Sequence, residues 1–155
     1  MAMELFVLSD RQLNSVADWQ AAIDSEGYPL RLEGNMPIEA LKGFLPATLR
    51  STKTGFECNP WPAREFMDEI PNVNFGHDWG YVLAFRWGGN LSQVPAVWMA
   101  AAAYAAATDG VVLDEEEGIR TVGEARTVVE QIEREMPQIE SVVRELLRSV
   151  QQNRK

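Results

Sequence analysis

The sequence predicts a single α+β domain: a mixed sheet of four to six strands, helices mainly on one face, and a long amphipathic C-terminal helix. Three observations carry that expectation. Residues 81–117 read as one βαβ-like unit, with an apolar run at 81–87, the turn Gly88-Gly89-Asn90, an alanine-rich helix to Thr108 and a second apolar run at 111–113. From about Val122 onward, apolar residues recur at spacings of three and four with charges between them. The length of 155 residues, 46% hydrophobic and 24% charged, suits one domain that buries roughly two-thirds of its unfolded surface. The domain is expected to span residues 1–155, with a tail that frays after about 150.

Taken in order, Leu5-Phe6-Val7-Leu8 is a strand-forming run, and Ser9-Asp10 offers cap oxygens to a following helix. In residues 11–25, Leu13, Val16, Ala17, Gln20 and Ile23 share a helical face that Trp19 and Ala22 widen, and Gly27 ends it. Residues 28–33 alternate like a strand, with Leu30 and Leu32 on one side. Proline then opens, and Gly43 closes, one or two helical turns in residues 36–43. The run 44–49 contains Pro46 and is assigned to a sheet edge or an irregular stretch. Residues 54–58 read as a strand that Asn59-Pro60-Trp61-Pro62 breaks, followed by a short helix at 63–70 with Phe66, Met67 and Ile70 inward and a loop at 72–80.

In the C-terminal helix the apolar stripe runs from Val128 to Val150, and Pro137 predicts a kink or break near Glu135 and Met136. The segment of the stripe after Pro137 (Ile139, Val142, Val143, Leu146, Leu147, Val150) is expected to pack on the domain's own sheet. Leu146→Asp would then destabilise the monomer by several kcal/mol. A weak echo of strand, turn, helix, glycine and strand links residues 5–33 to 81–114, readable as duplication or as common punctuation.

Composition narrows the function classes. A formal net charge of −9, from 23 acidic against 14 basic residues, disfavours nucleic acid and anionic membrane and favours a basic partner. One cysteine, Cys58, forms no intrachain disulfide, and the N-terminal apolar run ends at Leu8, short for a signal peptide, so a cytoplasmic location is expected. One cysteine and one histidine fall short of a zinc site, Asp114–Glu117 lacks the calcium-loop spacing, and no cofactor is expected.

Four stretches are candidate sites. The turn Gly88-Gly89-Asn90 precedes a helix, but it lacks the spacing of a nucleotide loop and reads as a tight turn. His77 stands beside Asp78, a carboxylate able to orient an imidazole, and no nucleophile presents itself beyond Cys58 or one of the serines, none of which the sequence singles out. The aromatic residues Trp61, Phe66, Phe75 and Trp79 in the irregular middle serve either as partner anchors or as a satellite core under a loop. Asp114, Glu115, Glu116 and Glu117 form an acidic turn, either a rim for a basic partner or a solvated connection.

The stretch Phe85-Arg86-Trp87-Gly88-Gly89, the alanine-rich helix and Thr108-Asp109-Gly110-Val111-Val112-Leu113-Asp114 resemble small acidic bacterial orphan proteins, some of which are toxin-immunity proteins. The resemblance covers the second half of the chain and transfers no catalytic residue. It implies a non-enzymatic inhibitor that occludes a basic toxin domain. The partner-binding set is then Trp61, Phe75, His77, Asp78, Trp79, Asp114, Glu115, Glu116 and Glu117. The alternatives are a small enzyme using the His77-Asp78 loop and an oligomerisation module built on the C-terminal helix.

Overall fold

The computed structural model describes residues 3–152. Along the chain come β1 (Met3–Ser9), α1 (Val16–Ser25), β2 (Leu30–Leu32), a 3₁₀ turn (Ile38–Ala40), β3 (Phe44–Leu49), β4 (Thr52–Pro62) and α2 (Ala63–Glu69). They are followed by β5 (Tyr81–Trp87), α3 (Gln93–Thr108), β6 (Val111–Asp114), β7 (Gly118–Arg120) and α4 (Val122–Gln152). The strands form one open sheet in the order β2-β3-β4-β5-β1-β6-β7.

Every neighbouring pair is antiparallel, which corrects the expected mixed sheet, and the seven strands exceed the four to six predicted. The βαβ-like unit is real in one respect: β5 and β6 run parallel, with α3 crossing between them. However, β1 is inserted between the two and pairs with both, Leu5 lying opposite Phe85 on one side and Asp114 on the other. The additional strand is β7, whose three residues are too few to show a period of two. It closes a hairpin in which Gly118, at φ 83°, supplies the left-handed residue after the acidic turn.

Three prolines lie inside strands that the sequence pattern has them interrupt. A residue's N–H and C=O point to the same side of a strand, so the question is which neighbour each proline faces. The Pro46 carbonyl accepts from Glu33 N at 3.0 Å, so its ring nitrogen also faces β2, where that ladder ends. Cys58 N donates to Gly43 O at 2.8 Å, on the β3 side of β4, so Pro60 and Pro62 face that side too, beyond the start of β3 at Phe44. Pro46 forfeits only the reciprocal bond to Glu33 at the end of the β2 ladder, Pro60 and Pro62 forfeit none to β3, and β4 runs on to Pro62.

Three helices cover one face. α1, α3 and α4 bury Trp19, Ile23, Tyr104, Ala125 and Val129 with Leu5, Val7, Phe56 and Phe85 of the sheet. Ala100, Ala101, Ala102 and Ala103 are fully buried, so α3 approaches its neighbours closely. The opposite face carries a smaller core in which α2 and the loop at 71–80 cover Leu8, Val82 and Leu113. The helices thus lie mainly on one face, as expected.

α4 starts with a reciprocal cap: Thr121 Oγ1 accepts from Glu124 N, and Glu124 Oε1 accepts from Thr121 N, each at 3.1 Å. Of the expected kink or break near Glu135 and Met136, the break does not occur: the helix continues through Pro137, which removes one intrahelical bond while the turns on either side persist. The expected cover for the stripe after Pro137 is absent for the residues whose side chains are described. Val142, Leu146 and Leu147 are 58%, 62% and 60% exposed, while Ile139, Val143 and Val150 lie outside the described side chains. The part of α4 packed on the domain, from Val122 to about Pro137, is therefore shorter than the stripe suggests. Leu146→Asp should shift unfolding stability by less than about 0.5 kcal/mol, whereas Val129→Asp should cost several kcal/mol, both measured by urea denaturation.

Candidate functional site

Strand alternation decides what the second face offers. In β1, β4 and β5 the helix-facing residues include Leu5, Val7, Phe56, Cys58, Leu83 and Phe85. Their alternates Glu4, Phe6, Glu57, Asn59, Trp61, Ala84 and Arg86 point the other way. α2 covers one end of this second face, where Phe66 lies 4.6 Å from Phe6 and 6.1 Å from Phe75, measured between ring centroids. The other end stays open. There Phe44 stands opposite Glu57, Glu57 opposite Arg86, and Arg86 opposite Glu4, a row that crosses four strands. Phe44 is 57% exposed, and its ring lies over Gly55, where a Cβ would collide with it.

Between the covered and open ends runs a groove of about 280 Å³, its apolar floor made by Phe6, Phe66 and Ile70. Trp61, 42% exposed, forms one wall, and Glu4, Glu69 and Arg86 bring charge to the rim. Asn59 also lines it, its Oδ1 accepting from Gly43 N at 2.9 Å. The volume falls just below the roughly 300–1,000 Å³ of ordinary small-molecule sites. No family model, curated protein or solved structure matches this chain.

The residues singled out in the sequence fall in three places. Trp61 belongs to the groove. Phe75 and Trp79 are half-buried in the satellite core, and Trp79 Nε1 donates to the Phe75 carbonyl at 3.1 Å, which fastens the loop to itself. His77 is exposed, and the carboxylate it meets is that of Asp10, at 2.6 Å, rather than Asp78. Asp78 instead accepts from Arg64 at 3.0 Å, because adjacent side chains in the loop diverge. Asp10 Oδ1 also accepts from Gly80 N at 3.1 Å, so Asp10 ties the loop to the end of β1. This is the opposite end of β1 from Glu4, and the 280 Å³ groove is not lined by His77.

The acidic turn separates into two roles. Asp114 bonds Arg120 at 3.2 Å and accepts from Glu116 N at 3.1 Å, so it shapes the hairpin. Glu115, Glu116 and Glu117 are exposed. Glu115 lies against Glu4, which brings the acidic turn to the rim of the groove, a shared border between Trp61 and this turn that the sequence does not show. Arg86 and Glu69 escape sequence reasoning, since a lone charge in a strand or on a short helix carries no pattern.

Other features have local explanations. The Gly88 N–H donates to Gln93 Oε1 at 3.1 Å, and Ser92 Oγ donates to Asn90 Oδ1 at 2.9 Å, so the glycine turn satisfies its groups within itself. Cys58 is buried and burial pushes its thiol pKa well up, as for an unreactive core cysteine. Among the described residues no cluster of three metal-ligating side chains occurs.

Burial, followed by the charge and hydrogen bonding of Glu4, raises the pKa of Glu115. The folded state thus holds this proton more tightly than the unfolded chain. The resulting stability is full below the unfolded carboxylate pKa and lost as pH rises through the folded value. Glu115→Gln should accordingly raise the urea midpoint at about pH 7 and leave it unchanged near pH 3.

Proposed function

We propose that the protein is a non-enzymatic protein-binding protein, an immunity-type inhibitor that neutralises a bacterial toxin by occluding it. The observation that supports this reading is the half-covered second face of the sheet. It offers two exposed aromatic side chains, Trp61 in the wall of a groove with carboxylates at its rim and Phe44 at the far end of the cross-strand row. Exposed aromatics beside a concave, partly apolar surface are the usual anchors of a protein interface. The net charge of −9 and the nearby Glu115, Glu116 and Glu117 favour a basic partner surface and fast electrostatic encounter.

The direct test is co-expression with the product of the reading frame immediately upstream, followed by binding kinetics on the purified pair. The expected result is a stable complex that relieves that product's toxicity. Trp61→Ala should speed dissociation at least about ten-fold, the size of a modest hot spot. Replacing Glu115, Glu116 and Glu117 together with glutamine should slow association and flatten its salt dependence. A complex formed equally well by Trp61→Ala and Phe44→Ala proteins would remove this face from the interface.

A second reading, self-association through α4, is supported by the exposure of Val142, Leu146 and Leu147. It requires a molar mass that rises with concentration in light scattering and falls back to the monomer value in Leu146→Asp.

A further inference from the structure

The groove on the second face has the dimensions and lining of a slot for one side chain. Its volume of about 280 Å³ is open to solvent, and its floor of Phe6, Phe66 and Ile70 suits an aliphatic stem. The Trp61 wall presents an indole, on which a planar cation stacks well. At the rim, Glu69 is exposed, and Glu4 is held only loosely by Arg86, whose Nε lies 4.0 Å from its Oε1. The pairing of Leu5 with Asp114 also sets Glu4 beside Glu115, and two neighbouring carboxylates are relieved by an arriving positive charge.

We propose that the groove receives one arginine side chain of the protein partner, its stem on Phe6 and Ile70, its guanidinium between the Trp61 indole and the carboxylates of Glu4 and Glu69. The inference rests on the protein-binding reading of this face and specifies the chemistry of the contact. Arginine is favoured over lysine because a guanidinium both stacks on an indole and offers forked donors to two carboxylates. Arg86 is the competing cation, since it lines the same groove and reaches Glu4.

The test titrates the full chain with n-butylguanidinium, with 1-butanol and butyrate as neutral and anionic controls. The readout is the NMR signal of the Trp61 indole N–H, assigned with Trp61→Phe. A saturable shift with n-butylguanidinium and much smaller shifts with the controls are expected. Glu69→Gln and Glu4→Gln should each weaken binding about three- to five-fold, as for partly exposed ion pairs, while Arg86→Gln should tighten it. Absence of a saturable shift, an equal response to 1-butanol, or indifference to Glu69→Gln would overturn the inference. The two proposals fail separately. A partner complex that needs Trp61 yet ignores Glu69→Gln keeps the binding face and overturns the arginine slot. A groove that binds n-butylguanidinium as expected, in a protein whose partner complex ignores Trp61→Ala, keeps the slot's chemistry and overturns its use by that partner.

Discussion

An indole N–H buried between two helices sets the spacing of the helical face: Trp19 Nε1 donates to the Ala100 carbonyl at 2.9 Å, and Trp19 is fully buried. The bond is possible because the alanines of α3 leave its backbone within reach. The Trp19 ring then meets Tyr104 at 5.5 Å and Phe85 at 5.8 Å edge-on, and Phe56 at 6.1 Å, joining α1, α3, β4 and β5 in one aromatic cluster. Such pairs contribute about 0.5–1.5 kcal/mol each beyond the area they bury. Tyr104 extends the cluster, its hydroxyl oxygen accepting from Leu13 N at 3.3 Å. One side of the sheet is thereby fixed to a close-packed helical layer.

That arrangement leaves the other side under-covered. With α1, α3 and α4 on the first face, the second has only the short α2 and the loop at 71–80. They protect Leu8, Val82 and Leu113, and in the cross-strand row Phe44, Glu57 and Arg86 remain exposed while Glu4 is half-buried. An antiparallel sheet tolerates this because its solvent face can carry polar residues, as Glu57, Arg86 and Glu4 do here. The proposed interface thus occupies the part of the sheet that the fold does not use for its own core, held in place by strands whose opposite side chains are locked under the helices.

Much of the fold is legible in the sequence because it rests on local signals. The runs at β1 and β5, the alanines of α3 and the stop at Gly27 specify their elements directly. What escapes depends on neighbours: Pro46, Pro60 and Pro62 are tolerated because the adjoining ladders end there, and the insertion of β1 between β5 and β6 is a pairing choice that no periodicity records. The same limit applies to the site. Trp61 and the acidic turn stand out as residues, but that Trp61 lines one groove with Glu4 and Arg86, and that Leu5 pairs with Asp114 beside the acidic turn, arises from how the sheet is assembled. His77 and Asp78 illustrate the converse, since their adjacency in sequence suggests a pairing that the loop replaces with Asp10 and Arg64.

The central claim is that the open second face is where a partner sits. Hydroxyl-radical footprinting of the protein, free and bound to its partner, reads this side chain by side chain. The account predicts that Phe44, Trp61 and Ile70 lose labelling on binding while Leu146 and Leu147 keep theirs. Protection confined to Leu146 and Leu147, with Phe44 and Trp61 unchanged, would contradict it.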